Sequence, residues 1–191
     1  GDDLTYSISE GTDIIVTLSG LDIAFSAPDN FNGSEIFTVS ASDSEYTDSQ
    51  IITVFVSAVN DNPIANDIVD PIEVEEDTPI EISISGSDIE YDILNFNIAS
   101  LPINGIITNS EGAILNINST IAVIENSDIN LYQTTLVYTP NLNFIGSDSF
   151  SFIISDMSEN NSLSNIVTIN LLINQVNDAP VLNCPNDNCN L

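Results

Sequence analysis

The residues best suited to chemistry in this chain are carboxylates and amides that precede a proline at two places. The string VNDNP occupies positions 59–63, and VNDAP occupies positions 176–180. Asp and Asn carry oxygen atoms on short side chains, and Ca²⁺ takes six to eight oxygen ligands at roughly 2.3–2.6 Å. The pattern predicts that Asn60, Asp61 and Asn62 are metal ligands. A plain polar turn between two domains is the alternative interpretation.

The chain combines a high acidic content with a complete lack of basic residues. Of its 191 residues, 29 are Asp or Glu and none is Lys, Arg or His, so its formal net charge is −29 at pH 7. No salt bridge can form between its own side chains, and like charges about 4 Å apart repel by roughly 1 kcal/mol even in water. Clustered carboxylates therefore require an external cation. Nucleic-acid binding and docking on an anionic membrane surface are excluded, because both need basic residues.

A second acidic cluster lies directly before a predicted strand. In the string SDIEYD, the acidic residues Asp88, Glu90 and Asp92 occupy alternate positions. If the backbone is extended there, alternate side chains share one face. Three carboxylates on one face repel one another unless a cation lies among them, so the cluster predicts a cation site. The alternative is that each residue is a solvated turn residue.

The elements that must position these residues are β-strands. Apolar and polar residues alternate in many short segments, with Gly, Asn, Asp or Pro between most of them. This pattern predicts an antiparallel β-sandwich or barrel. No segment approaches the 18 uninterrupted apolar residues of a transmembrane helix. The alternating segments span residues 4–8, 14–19, 36–42, 51–59, 80–85, 135–139, 149–155 and 166–173.

An internal repeat organises the strands into modules. The string FNGSEIFTVSASD at 31–43 aligns without a gap to FIGSDSFSFIISD at 144–156, and each is followed by a long alternating segment and VND. We therefore expect a window of a longer tandem array. Residues 1–60 are the C-terminal part of one repeat, residues 61–176 are a complete repeat, and residues 177–191 begin a further module. The first sandwich is expected to be incomplete at its N-terminus.

The ordered motifs AVNDNPIAND, EEDTPIEISISGSDIEYDILNF and LVYTPNLNFIGSDSFSFIISD resemble the cadherin-like tandem repeats of large bacterial surface proteins and adhesins. The resemblance covers nearly the whole chain. It implies an all-β fold of tandem Ig/cadherin-like Greek-key β-sandwiches, secreted and strung end to end, with Ca²⁺ at the joints. The insert at 112–140 is similar to a subtype that has an extra hairpin.

The resemblance also implies ligands for two joints. At the first joint, Asp88 and Glu90 match an acidic pair of the family, Asp156 matches another ligand, and Asp29 would come from the preceding module. Cadherins carry an Asp-Arg-Glu stretch near Asp29, and this chain departs from it because it has no Arg. The second joint would be weaker, since Asn141 and Asn143 replace carboxylates. Its residues are Glu76, Asn141, Asn143, Asn177 and Asp178.

The two cysteines lie close together near the C-terminus, in the string CPNDNC. A small disulfide loop between Cys184 and Cys189 is the favoured interpretation in an extracellular setting. A zinc site is poorly supported, because the chain has no His and no second Cys pair. Pairing with a cysteine elsewhere in a longer protein is the remaining alternative.

The residue inventory argues against an enzyme. The chain lacks His, Lys, a Cys–His pair and a Gly-rich phosphate loop, and it lacks the Trp common in sugar clefts, although paired carboxylates could in principle hydrolyse glycosides. We expect an extracellular structural or adhesive segment whose joints are rigidified by Ca²⁺, with adjacent repeats of the same chain as partners and no direct membrane insertion. The alternatives are a homopolymeric subunit of a surface filament or surface layer, and a calcium-dependent module that binds a glycan or a cell-surface partner.

Overall fold

The computed structural model describes residues 3–126, 131–157 and 162–180. Backbone contacts divide the chain into two compact units, Gly1–Asn60 and Asp61–Leu191, which we call unit 1 and unit 2. The secondary structure in the described ranges consists of strands, turns and irregular segments, without helices. The described residues accordingly contain no helix long and apolar enough to cross a membrane.

Unit 1 contains five strands in two small sheets. β1, β4 and β5 form an antiparallel sheet in the order β1-β4-β5, while β2 and β3 form a hairpin. Gly20 follows β2 and has a φ of 63°, as a two-residue hairpin loop with glycine at its first position requires. The strands are β1 Thr5–Ile8, β2 Ile15–Ser19, β3 Asp22–Ser26, β4 Gly33–Ser42 and β5 Thr47–Val56.

The described residues of unit 2 form ten strands in two sheets. One sheet has the order β10-β13-β8-β6 with β12 also paired to β13, and the other has the order β11-β9-β14-β15-β7. All pairings are antiparallel except that of β7 with β15, which is parallel. The strands are β6 Ile64–Ala65, β7 Ile72–Glu75, β8 Ile80–Ser87, β9 Leu94–Ser100, β10 Gly105–Asn109, β11 Thr120–Ile121, β12 Ile124–Asn126, β13 Leu131–Pro140, β14 Gly146–Asp156 and β15 Val167–Asn174.

The two sheets of unit 2 bury a common hydrophobic core. In β15 every second side chain is buried, so one face of the strand packs inward and the other faces solvent. Phe96 and Phe152 stack near the centre of the core, with ring centroids 6.0 Å apart and planes inclined by 7°. Burial of such alternating apolar faces, at roughly 25 cal/mol per Å² of apolar surface, is the main stabilising contribution.

The predicted fold class is confirmed: the chain is all-β and forms Ig/cadherin-like sandwiches. Each predicted alternating segment contains or overlaps a strand. The insert at 112–140 supplies β12, which pairs antiparallel with β13 as a hairpin should. Several strands lie outside the predicted segments, namely β3, β6, β7, β10 and β11. β6, β7 and β11 have only two to four residues, which are too few to show a period. β9 was expected only as the strand that follows SDIEYD.

The registers of the two units agree with the internal repeat. In unit 1, Phe37 of β4 lies opposite Ile52 of β5. In unit 2, Phe150 of β14 lies opposite Ile169 of β15. Phe37 and Phe150 are also equivalent in the gapless alignment of the two copies. β4 and β5 therefore correspond to β14 and β15 residue by residue.

Candidate metal site at one end of unit 2

Strand pairing brings three segments together at one end of unit 2. Ile64, the first residue of β6, lies opposite Ser87 at the end of β8. Asp156, the last residue of β14, lies opposite Leu94, the first residue of β9. The entry segment at 61–63, the loop at 88–93 and the end of β14 therefore meet at the same end. These segments carry most of the residues predicted for the first joint.

The loop at 88–93 is a turn built around one carboxylate. Asp88 Oδ1 accepts hydrogen bonds from the backbone N–H groups of Glu90 and Asp92, at 2.9 and 3.2 Å. The backbone carbonyl of Asp88 accepts the N–H of Tyr91 at 3.3 Å. Tyr91 has a φ of 63°. The expectation of an extended backbone with three side chains on one face is therefore wrong, because the Asp88 side chain replaces strand partners as the acceptor for local N–H groups.

Two carboxylates of this end are buried. Asp88 is 2% exposed and Asp156 is 1% exposed. Burial raises the pKa of Asp88, as do the charges of Asp92 and Asp156 nearby, while its two backbone hydrogen bonds lower it. The chain has no basic side chain that could compensate these charges. In a chain that has no basic side chain, burial of a carboxylate favours either a bound proton or a bound metal ion.

Hydrogen bonds connect the other predicted ligands, Asp61, Glu90 and Asp156, to neighbouring segments at this end of unit 2. The N–H of Asp61 donates to Glu90 Oε2 at 3.2 Å, which joins the entry segment to the loop. Asp156 Oδ1 accepts the N–H of Ser162 at 3.0 Å. Asp61 and Asn62 are exposed, while Glu90 is half-buried. The structure thus gathers Asp61, Asp88, Glu90 and Asp156 within one unit.

Two predicted ligands of the first joint belong to unit 1. Asp29 lies in an exposed turn after β3, and Asn60 is the last residue of that unit. Their participation in the site stays a prediction.

The described residues supply only part of the oxygen ligands that a hard cation such as Ca²⁺ needs. Within the described ranges, no group of three or more Asp, Glu, Cys or His residues is arranged to hold a metal ion. Asp88 and Asp156 supply buried carboxylates, so the other ligands would have to be carbonyl, amide or water oxygens. Ca²⁺ accepts all of these, and its affinity falls as fewer charged ligands take part. The residues therefore fit a weak calcium site better than a tight one.

The second predicted site lies where the chain leaves β15. Glu76 is 6% exposed, and its Oε1 accepts the N–H of Val176 at 2.8 Å. Asn177 Nδ2 donates to the carbonyl of Asp178 at 3.2 Å, and both residues are exposed. The structure thus brings Glu76 to the segment that carries Asn177 and Asp178. The hydrogen bond from Val176 satisfies one oxygen of the buried Glu76 carboxylate, and the role of Glu76 as a metal ligand stays a prediction.

Asp77, which was not predicted, connects this end of unit 2 to the turn after β13. Its Oδ1 accepts the N–H of Asn143 at 2.7 Å. The run of acidic residues in EEDTP is a signal that could have drawn attention to it. Asn141 and Asn143 are exposed, and their role as ligands stays a prediction. Cys184 and Cys189 lie outside the described residues, so their predicted disulfide stays a prediction.

Two further carboxylates were missed by the sequence analysis. Asp148 is 8% exposed and accepts the N–H groups of Ile103 and Asn104 at 3.0 and 2.9 Å, together with the Tyr138 hydroxyl at 2.9 Å. Burial, followed by the bond to Asp148, raises the pKa of Tyr138. Asp148 therefore fixes the loop before β10. Its equivalent in the repeat alignment is Glu35.

Glu35 does the same for the loop before β2. Its carboxylate accepts the N–H groups of Thr12, Asp13 and Ile14 at 2.9, 2.6 and 3.3 Å. The hydrogen bond from Asp13 is the main cause that lowers the pKa of Glu35, and burial opposes it. An acidic residue at the same position in both copies was the available signal. Both carboxylates hold backbone within their own unit, so we assign them a structural role.

Sequence comparison places the chain in a known family. Residues 60–170, more than half of the chain, match the bacterial Ig domain. The chain belongs to this family. Comparison with curated protein sequences gives no match.

Several solved structures are similar to the chain. Human protocadherin-24 EC1-2 is 18% identical over 92% of this chain and 83% of its own, with a TM-score of 0.48. Domains 4 and 5 of the S-layer protein SbsC are 12% identical over 90% of this chain and 70% of theirs, with a TM-score of 0.34. An endo-fucoidan hydrolase of glycoside hydrolase family 107 is 21% identical over 92% of this chain, with a TM-score of 0.36.

The chain spans about a quarter of the fucoidan hydrolase, 24% of its length. At such low identities and TM-scores, these similarities carry no information on what the chain binds or catalyses. Family membership and the all-β architecture confirm the resemblance to Ig/cadherin-like repeats of bacterial surface proteins.

Proposed function

We propose that the chain is an extracellular structural or adhesive segment of a bacterial surface protein, and that Ca²⁺ stiffens the point where one module follows another. One observation carries this. Asp88 and Asp156 are both buried at the end of unit 2 where the chain enters it, and the 191 residues of the chain include no basic side chain. A divalent cation bound to both carboxylates would offset their negative charge.

In the proposed arrangement the chain's residues have separate tasks. Asp88 and Asp156 bind the ion through their carboxylates, and Glu90 holds the backbone of Asp61 against the same loop. The bound ion neutralises their charge. Because Asn60, Asp61 and Asn62 connect the two units along the chain, fixing this segment restricts bending there. Adjacent repeats of the same polypeptide are the proposed partners.

The proposed affinity is low. Extracellular calcium modules bind with Kd values of about 10⁻⁴–10⁻³ M, and few charged ligands push the affinity toward the weak end of that range. Free calcium outside cells would fill such a site, whereas a chelator would empty it. A calcium-dependent response is therefore expected to appear only near millimolar concentrations.

Thermal unfolding of the full chain, with millimolar CaCl₂ and with a chelator, tests the assignment. We expect Ca²⁺ to raise the unfolding temperature of unit 2, and Asp88→Asn and Asp156→Asn each to remove most of that increase. Both variants keep an oxygen that can accept the backbone hydrogen bonds. Asp67→Asn is the matched control, because Asp67 is exposed in the same unit. An equal calcium response in all four proteins, or none in the unchanged chain, would refute the site.

A further inference from the structure

Asn–Gly pairs are positions at which a protein chain readily modifies itself, because a glycine without a Cβ atom leaves its own backbone nitrogen unshielded. The 191 residues contain two such pairs, Asn32–Gly33 and Asn104–Gly105. The glycine nitrogen reaches the side-chain amide carbon of the asparagine only if the backbone between the two residues is free to turn. The surroundings of each pair therefore decide whether it reacts.

The first pair, Asn32–Gly33, lies where a turn leads into the end of a strand. Asn32 and Gly33 are both exposed. Gly33 is the first residue of β4 and lies opposite Val56, the last residue of β5. The atoms nearest to a Cβ placed at Gly33 belong to the ring of Phe31, at 3.4 Å or more. The pair therefore has room to turn.

The exposure of Asn32 is a property of its position in the repeat. Its equivalent in unit 2, in the gapless alignment of the two copies, is Ile145. Ile145 is 51% exposed, although unit 2 encloses a large core. Each of the two residues directly precedes a glycine with a positive φ that begins a strand, namely Gly33 at 147° and Gly146 at 122°. This position is thus open to solvent in both copies.

The second pair, Asn104–Gly105, is held on both sides. The N–H of Asn104 donates to Asp148 Oδ2 at 2.9 Å, and its carbonyl accepts the N–H of Asn141 at 2.8 Å. A Cβ atom at Gly105 would lie 2.7 Å from the carbonyl oxygen of Thr139. Because Asp148 is itself buried, the backbone of this pair turns only when this part of unit 2 opens.

We propose that Asn32 is a site of spontaneous deamidation, and that the fold protects Asn104 from the same reaction. The Gly33 nitrogen forms a bond to Cγ of Asn32, and the side-chain nitrogen leaves as ammonia after it has taken up the proton of the Gly33 N–H through water. The intermediate is a five-membered succinimide ring. Water then breaks one of the two C–N bonds of the ring, which leaves either aspartate or isoaspartate at position 32. Water is the only co-reactant.

Both products alter the turn between β3 and β4. Each adds a negative charge three residues after Asp29, in a chain that has no basic side chain, so the repulsion in this turn increases. Isoaspartate also lengthens the main chain by one carbon atom directly before β4, which disturbs the pairing of Gly33 with Val56. An aged sample is therefore a mixture of forms that differ in charge or in main-chain length at one position.

Peptide mapping of the full chain provides the test. The chain is incubated near neutral pH, both folded in buffer and unfolded in urea. It is then cut with a glutamate-specific protease, because trypsin has no Lys or Arg to cut; the fragments 11–35 and 91–111 each contain one pair. Mass spectrometry measures the conversion of each asparagine. We expect Asn32 to convert at least about tenfold faster than Asn104 in the folded chain, because Asn104 reacts only after local opening. The two rates should be similar in urea.

Matched variants separate the proposed reaction from damage elsewhere. Asn32→Gln keeps a side-chain amide but would have to form a six-membered ring, so it should remove the fast conversion. Asp148→Ala removes the acceptor of the Asn104 N–H, so it should speed conversion at Asn104 and leave the rate at Asn32 unchanged. The comparison between buffer and urea remains informative if Asp148→Ala fails to fold.

Three results would overturn the assignment. One is equal conversion of Asn32 and Asn104 in the folded chain, which would mean that the fold protects neither. Another is faster conversion of Asn104, which would mean that the loop before β10 opens more readily than the turn before β4. The third is an unchanged Asn32 in the folded chain after a time that converts it in urea.

Discussion

The Asp88 carboxylate accepts two backbone N–H groups and is almost entirely shielded from solvent. Those hydrogen bonds favour its charged form, while burial and the nearby carboxylates Asp92 and Asp156 oppose it. Burial is the largest of these effects, so the pKa is raised. At neutral pH the ionised Asp88 is therefore a source of instability that either a proton or a cation relieves.

The pH dependence of the stability of unit 2 follows from the raised pKa of Asp88. A raised pKa in the folded state means that the folded protein binds the proton more tightly than the unfolded chain. The stabilising contribution of the protonated Asp88 is therefore fully present when the pH is below the pKa that Asp88 has in the unfolded chain. This contribution is lost as the pH rises through the pKa that Asp88 has in the folded protein. In chelator, we expect Asp88→Asn to be more stable than the unchanged chain at pH 7, and this gain to vanish toward pH 3.

The difference in the free energy of unfolding between Asp88→Asn and the unchanged chain is measured by urea unfolding at pH values from 3 to 7. A probe in unit 2 monitors the unfolding. Comparison of the two proteins cancels the titration of the other carboxylates. Added Ca²⁺ at pH 7 should reverse the order, because it binds only the ionised Asp88. Parallel pH profiles for the two proteins would show that Asp88 has an ordinary pKa.

At the scale of secondary-structure elements, the close packing of β8 against β6 requires a glycine at position 86. A Cβ atom at Gly86 would meet the Ile154 side chain, and it would lie 2.6 Å from the carbonyl oxygen of Ile64. Gly86 lies opposite Ala65 of β6. A side chain at this position would therefore push β6 away from β8 and would disturb the core at Ile154.

We expect Gly86→Ala to destabilise unit 2 by about 1–3 kcal/mol, the usual cost of overpacking a core. Denaturant unfolding measures the loss. Ser83→Ala is the control, because Ser83 lies on the exposed face of the same strand, and it should change stability little. Equal stability of Gly86→Ala and the unchanged chain would mean that β6 is not held closely against β8.

Across the whole molecule, the two units differ in the size of their cores. The described residues of unit 2 bury a cluster of 20 apolar side chains, whereas residues 3–60 fully bury Ile14 and Phe37. Small β-sheets with little core are marginally stable by themselves. The stability of unit 1 should therefore lie well below that of unit 2.

We accordingly expect two separate unfolding transitions, with unit 1 unfolding first. Hydrogen exchange resolved by segment, along a urea series, identifies which strands open in each step. Because the chain has a net charge of −29, added NaCl should stabilise both units by screening the repulsion. A single transition in which β4 and β14 open together would contradict this order.

The sequence by itself determined the fold class, most of the longer strands and the repeat. The alternation in segments such as 166–173 is a local property, since a strand places successive side chains on opposite faces whatever its partner is. The resemblance of the motifs around Asp61, Asp88 and Asp156 to cadherin-like repeats likewise indicated which end of a module would collect carboxylates.

Only the tertiary structure decided which groups are buried and what covers them. Asp88 and Asp156 become shielded through pairings between segments distant in the chain, and Asp148 finds its N–H partners in a loop 44 or more residues away. The parallel pairing of β7 with β15 depends in the same way on long-range contacts. A local residue pattern specifies the direction of each side chain, but burial and hydrogen-bond partners depend on neighbours that only the folded chain brings together.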